Sequence, residues 1–433
     1  MSESSKQRSE PQNKIVFRGE ATVWTDQMLT ALGNGVKGGK WHSLMDKVYA
    51  PKTLVLAWKK VRANKGGAGV DNITIDKFES NALRYLQELH EALKHQHYKP
   101  QSVKRVMIPK SDGGERPLGI PTIKDRIVQM AVKIVLEPIF ENEFSNASYG
   151  FRPKRSAKDA LREVNKGLRT GASWVVDADI KGYFDAIDHS LLVSMLEKHI
   201  ADQTLLRLII SYLNQNILDG CEEWTPTKGS PQGAVLSPLL ANIYLTGLDD
   251  LIGKSHKIVR YADDFVILCR SQEEAERSLA LVSDWMLLHH LTLHPTKTKI
   301  CHEQSEKRGF DFLGYTFVRG RRFARWKAMK GIRDKIRQHT RRQPGKSIKA
   351  VITGLNPVLR GWFEYFKHAN NSFRLIDGFV RRRLRSILRK YQKKKGGTGR
   401  FVSDHTAWPN IFFAKLGLFT MHEAFVKASK SRC

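Results

Sequence analysis

Two adjacent aspartates, Asp263 and Asp264, stand between the apolar runs Ile258-Val259-Arg260-Tyr261 and Phe265-Val266-Ile267-Leu268. Two short strands joined by a tight turn account for that pattern, with both carboxylates at the tip. Like charges side by side are costly unless something positive sits between or beside them. A pair of Mg²⁺ ions would serve, because Mg²⁺ takes carboxylate oxygens together with substrate phosphates. A solvated β-turn would place the same two residues equally well, so the pair alone decides nothing. A second source of carboxylates is Asp177-Ala178-Asp179-Ile180-Lys181-Gly182-Tyr183-Phe184-Asp185. On a strand Asp177 and Asp179 face the same side, whereas Asp185 and Asp188 fall past it, where capping a helix is the simpler role. Asp179 with Asp263 and Asp264 gives the three-carboxylate cluster that two-metal phosphoryl transfer requires. One ion would activate a primer 3′-hydroxyl and the other would steady a triphosphate and its leaving pyrophosphate.

The elements that must hold these residues interleave helices and strands without βαβ regularity or internal repeat, which indicates an α+β fold. Helical spacing runs over Leu54–Val61, 77–95, 122–143, the segment after His189, 204–218 and Pro238–Ile252. Val103–Lys110 and Arg116–Ile120 flank Ser111-Asp112-Gly113-Gly114 as a basic hairpin, and Trp174–Ile180 is the strand that carries Asp179. The Asn64–Gly69 loop has three glycines, which permit unusual backbone angles.

Charge narrows the partners. The 73 Lys and Arg against 43 Asp and Glu leave a formal +30, which attracts a polyanion such as RNA or DNA. Residues 325–400 hold 23 Lys and Arg and three acidic residues, a local +20, interleaved with Trp326, Trp362, Phe363, Tyr365, Phe366, Phe373, Phe379 and Tyr391. Like charge over so long a stretch calls for phosphate to neutralise it. The run Arg381, Arg382, Arg383 and Arg385 has helical character and is the sharpest candidate for nucleic-acid contact. No run of roughly 18 apolar residues spans a bilayer, and the polar N-terminus lacks an apolar signal core, so a cytoplasmic protein with no membrane partner is expected. Four scattered cysteines (221, 269, 301, 433), with no C-x-x-C pair, speak against zinc and against a disulfide framework.

In order along the chain, several blocks resemble those of group II intron-encoded reverse transcriptases. Tyr261-Ala262-Asp263-Asp264 resembles the YxDD motif, and Asp179–Asp185 the palm motif that precedes it. Arg105–Lys110 with Arg116–Pro121, then Tyr149-Gly150-Phe151-Arg152-Pro153, are similar to the fingers blocks; Gly229–Asn242 is similar to the PQG block. Phe312-Leu313-Gly314 resembles the primer-contacting block, and Gly361-Trp362-Phe363-Glu364-Tyr365-Phe366 the signature of the maturase, or X, domain. The resemblance covers about residues 55–430. Gly233 is followed by Ala234, where the family's block has a second glycine.

The resemblance implies an RNA-directed DNA polymerase of the right-hand kind, with fingers, an antiparallel palm sheet and a basic helical thumb or X domain. The implied division is 1–54 N-terminal extension, 55–170 N-terminal loop region and fingers, 171–320 palm and 321–433 thumb and X domain. Asp179, Ile180, Asp263 and Asp264 would hold two Mg²⁺ ions. Lys110, Arg116, Phe184, Gln232 and Lys297 would meet the nucleotide: the cations on the triphosphate, Phe184 under the sugar excluding a 2′-hydroxyl, and Gln232 beside the template–nucleotide pair. Lys299 rivals Lys297, and a solvated lysine would explain either. Arg152, Tyr261, Gly314 and the Arg381–Arg385 run would contact nucleic acid. The Gly66–Gly69 loop resembles one that packs near the template. Implied partners are group II intron RNA, an RNA template with a DNA primer, target DNA and dNTPs. No Cys pair with His-Asn-His follows, which implies a member without the DNA endonuclease domain. A splicing-only RNA-binding factor, and a relative recruited to defence or repair, are the alternative readings.

Overall fold

The computed structural model describes residues 23–34, 39–109, 113–305, 309–341, 345–392 and 402–430. Its strands, in chain order, are β1 (Val103–Pro109), β2 (Glu115–Ile120), β3 (Trp174–Asp179), β4 (Ile217–Asp219), β5 (Glu222–Trp224), β6 (Lys257–Tyr261), β7 (Asp264–Cys269), β8 (Lys299–His302), β9 (Phe310–Phe312), β10 (Tyr315–Val318) and β11 (Arg321–Ala324). They form sheets ordered β2-β1-β4-β5, β6-β7-β3-β8 and β11-β10-β9. Two compact units result. One takes in the described residues up to Ala160 with Ala178–Ile267 and Glu276–Thr298; the other takes in Leu161–Asp177, Leu268–Ala275 and the described residues from Lys299 onward. With the helices between them, these sheets make the α+β class read from the sequence.

The first unit is organised by two helices. Ile123–Glu143 begins where the Thr122 hydroxyl accepts from the Asp125 amide, and buries Ile127, Val128, Ala131, Val135, Leu136 and Ile139. Ser237–Gly253 buries Leu240, Ile243, Tyr244, Leu248 and Ile252, and with them the polar Ser237, Asn242 and Asp249. The fingers hairpin forms as expected, pairing β1 with β2 antiparallel from Lys104↔Ile120 to Pro109↔Glu115.

In the second unit the helices Trp326–His339, Ile348–Phe366 and Phe373–Tyr391 enclose one apolar cluster. Phe373, Ile376, Val380, Leu384 and Ile387 recur at three- and four-residue steps, so a single helix face meets Ile336, Leu355, Leu359 and Phe363 while the arginines lie elsewhere on the helix. Among the described residues no helix is long and apolar enough to cross a membrane.

Three local expectations are corrected. The helix expected over 204–218 ends at Leu213; Ile217 and Leu218 continue its apolar spacing but pair as β4 with Val103 and Lys104 of β1 in parallel. The helical stretch 77–95 is two helices, Ile75–Glu79 and Ala82–Lys94, broken at Ser80 and Asn81. Asp188 does cap a helix, accepting from Leu191 N at 3.0 Å, but Asp185 lies inside the turn Tyr183–Ala186, whose cap is Gly182.

Candidate active site

Asp179 ends β3, and Asp264 begins the neighbouring strand β7. Between β6 and β7 the turn is only two residues, Ala262 and Asp263, with Ala262 in the left-handed region at φ 62°. A residue with a side chain is uncommon there, so its surroundings must hold it.

Those surroundings are built from polar groups sealed inside the unit. The Arg260 side chain is fully buried. Its Nε and Nη2 donate to the two carboxylate oxygens of Asp249 at 2.7 and 2.5 Å. Its Nη1 donates to Asn242 Oδ1 at 3.1 Å and to the Ala262 carbonyl at 3.0 Å. Asn242 in turn donates to the Gly150 carbonyl at 2.8 Å. The Tyr149-Gly150-Phe151-Arg152 segment thus braces the aspartate turn, with the Tyr149 amide donating to the Arg260 carbonyl at 2.9 Å.

At the tip, burial pushes the Asp263 carboxyl up from its ordinary value; its own amide holds it down, the charge of Asp179 pushes it further up, and Lys297 and Arg260 draw it back. Lys297 lies against Asp179, Nζ to Oδ2 at 3.1 Å. Its rival Lys299 pairs instead with Asp177 at 3.5 Å, whose carboxyl burial drives up to about 6. The geometry therefore separates two lysines that the sequence left equal.

Among the described residues no group of three His, Cys, Asp or Glu side chains is drawn tightly enough to grip a metal. Asp179 and Asp263 nonetheless feel each other's charge, and carboxylate oxygens are the donors that Mg²⁺ prefers. That donor chemistry fits Mg²⁺. Ile180, the other expected ligand, is buried and bridges Leu293.

The remaining candidates fall into place unevenly. Arg116 is exposed on β2 opposite Ile108, and Lys110 lies outside the described residues. Phe184 is partly exposed, and its carbonyl accepts from Ser230 N at 2.7 Å. The Gln232 carbonyl accepts from Gly119 N at 2.7 Å. A β-carbon on Gly233 would sit 2.5 Å from the Gly119 oxygen, so only glycine lets the PQG loop close on β2. Tyr261 is partly exposed, 6.4 Å from the Phe151 ring. Gly314 faces the rings of Tyr365 and Phe366.

Two expected nucleic-acid contacts are corrected. Arg152 is buried, forks onto Glu141 and donates to the Ser145 and Ser148 carbonyls. Arg385 is buried, donating to the Trp408 carbonyl and to Asn410 Oδ1, both at 3.0 Å, with the Phe413 ring beneath it. Neither guanidinium is presented to a phosphate. Arg383 caps the helix Trp326–His339 through Thr340, Arg381 is partly exposed, and Arg382 is exposed over Phe379. Sequence reasoning missed Arg260, Asn242 and Asp249. The available signal was Asn242 and Asp249, seven apart in a largely apolar helix, which places both on one face.

Comparison with known proteins follows the same line. Residues 108–317 match the family of reverse transcriptases (RNA-dependent DNA polymerases), and residues 329–404 match the group II intron maturase-specific domain. Protein YkfC of Escherichia coli K12 is 34% identical over 322 residues, 64% of this chain and 83% of that protein. The group II intron-encoded protein LtrA of Lactococcus lactis subsp. cremoris is 39% identical over 205 residues, 47% of this chain but only 34% of LtrA. Among solved structures, the partial Cas6-RT-Cas1–Cas2 complex is 29% identical, covering 57% of this chain and 43% of that one, with a TM-score of 0.38. A reverse-transcriptase region followed by a maturase-specific region, on a fold whose β6–β7 hairpin carries paired aspartates, places this RNA-directed DNA polymerase in the group II intron-encoded reverse transcriptase/maturase family.

Proposed function

We propose that this chain extends a DNA primer on an RNA template, with Asp179, Asp263 and Asp264 as the catalytic carboxylates and group II intron RNA as a partner of its basic helical region. One observation carries the site assignment: half-buried Asp263 feels the charge of Asp179 while Lys297 pairs with Asp179. A factor that only binds RNA gains nothing from carboxylates crowded together beside a polyanion. Mg²⁺ held by Asp179, Asp263 and Asp264 would supply charge for the triphosphate and the leaving pyrophosphate.

The chain's own residues do the rest. The primer 3′-hydroxyl gives up its proton to solvent as its oxygen bonds to the α-phosphorus and the bond from that phosphorus to the bridging oxygen breaks, releasing pyrophosphate. Lys297, within hydrogen-bond reach of Asp179, is placed to balance or protonate that leaving group. Arg116 and Lys110 neutralise the triphosphate, Phe184 excludes a ribose 2′-hydroxyl, and Gln232 meets the nascent pair. Fingers at 55–170, palm at 171–320 and thumb with X domain at 321–433 are the corresponding functional divisions. In the last of these, Arg382 and its neighbours face intron RNA or target DNA.

The test is primer extension on an RNA template with dNTPs and Mg²⁺. Asp263→Asn with Asp264→Asn should lower extension by on the order of 10³-fold or more. Salt-sensitive RNA binding by the same variant should stay as it is. Extension that survives in the double variant refutes the site.

A further inference from the structure

We propose that Arg260 is a positioning residue for nucleotide transfer, its buried guanidinium fixing the peptide between Ala262 and Asp263 and so aiming the catalytic aspartate. The inference rests on Asp263 being catalytic, as argued above.

The guanidinium reaches four acceptors at once: both oxygens of Asp249, Asn242 Oδ1 and the Ala262 carbonyl. Three of these bonds anchor it to the helix Ser237–Gly253. The fourth grips the turn. Because a peptide unit is planar, holding the Ala262 carbonyl also fixes the direction of the Asp263 amide. That amide is one of the groups that hold the Asp263 carboxyl down, with Lys297 and Arg260 itself, so the chain of dependence runs from Asp249 through Arg260 to the tip of the hairpin.

The main chain of Arg260 is clamped as well. Its amide donates to the Ala147 carbonyl at 2.9 Å, and its carbonyl accepts from Tyr149 N at 2.9 Å. An ammonium offers three N–H groups from one nitrogen, whereas the guanidinium fork meets these four acceptors from three nitrogens.

The competing reading is a buried pair whose loss merely unfolds the protein, and four variants separate the two. R260Q leaves Asp249 buried and unpaired, and D249N does the same to Arg260, so both should lower the melting temperature. The double variant R260Q/D249N has no buried charge and should regain most of that loss. Its rate of nucleotide addition should nevertheless stay down roughly 10- to 100-fold, the cost of a misplaced reacting group. Its affinity for template–primer should remain within about two-fold, since nothing that binds the duplex is altered. Hydrogen exchange at the Asp263 and Asp264 amides should be faster than in the unaltered chain, a readout that does not depend on turnover. R260K retains the charge without the fork and should also be slow; it carries the test if the double variant does not fold.

A rate that recovers together with the melting temperature, or full activity in R260K, overturns the proposal. Extension by D263N/D264N would instead overturn the site reading on which it rests, so the two failures are distinguishable.

Discussion

Gly150 lies so close to the aspartate turn that a β-carbon on it would stand 2.4 Å from the Ala262 amide nitrogen and 3.0 Å from the Tyr261 carbonyl carbon. These neighbours are backbone atoms and cannot swing aside. Gly150→Ala should therefore displace the hairpin, costing about 1–3 kcal/mol in denaturant unfolding, as overpacking does. Extension should fall further than that loss of stability accounts for, because the displaced atoms carry Asp263. Unchanged unfolding in the variant would mean that the segment yields and does not brace the turn.

Lys297 and Lys299 offer a matched pair. Each makes one ion pair with a β3 aspartate, at 3.1 Å to Asp179 and 3.5 Å to Asp177. Both lysines are about half exposed, so removing either should change stability by no more than about 1 kcal/mol. Their effects on rate should differ. Lys297→Ala should slow single-nucleotide addition by about 10²- to 10⁴-fold if it protonates the leaving group, while Lys299→Ala should stay within a few-fold. Equal losses from the two would remove Lys297 from the chemistry.

The arginine helix divides in the same manner. Arg382 is exposed, whereas Arg385 is buried on Trp408 and Asn410. Arg382→Gln should reduce the slope of log affinity against log salt for RNA by about 0.7–0.9 if it neutralises one phosphate. Arg385→Ala should leave that slope alone and cost about 1–3 kcal/mol of stability by orphaning buried acceptors. The reverse outcome would show that the buried arginine turns outward on binding.

Residues whose roles are set by near neighbours were readable from the sequence. The paired aspartates between two apolar runs announce their hairpin, and the glycine turn after Val103–Lys110 announces another. Roles set by distant partners were not. Arg152 and Arg385 read as phosphate contacts because a sequence displays charge but not burial. Arg260 read as an incidental member of a strand because Asp249 and Asn242 lie 11 and 18 positions away. The misplaced helix end near Leu213 has the same origin: Ile217 satisfies helical spacing locally, and its pairing with Val103 on one side and Trp224 on the other makes it a strand. Of the candidate site, the carboxylates were legible and the buried bonds that aim them were not.

Asp188 links this packing to pH. It caps the helix His189–Glu197, accepting from Leu191 N at 3.0 Å, and it meets His290 Nδ1 at 3.0 Å. The Leu191 amide, and after it His290, hold its carboxyl below the ordinary value of 3.8. The folded chain therefore binds this proton less tightly than the unfolded chain does. The stability so gained is fully present above the unfolded value and is lost as pH falls through the lower, folded one. Asp188→Ala should cost about 1 kcal/mol near neutrality, the usual worth of such a cap, and the difference from the unaltered chain should shrink as pH is lowered below 3.8. Asp188→Asn should keep most of the cap, since asparagine accepts the same amide, but should lose the pH dependence. Urea unfolding of the three proteins at neutral pH and near pH 3 checks both, and a deficit in Asp188→Ala that does not vary with pH would assign Asp188 to packing, with no part for its charge.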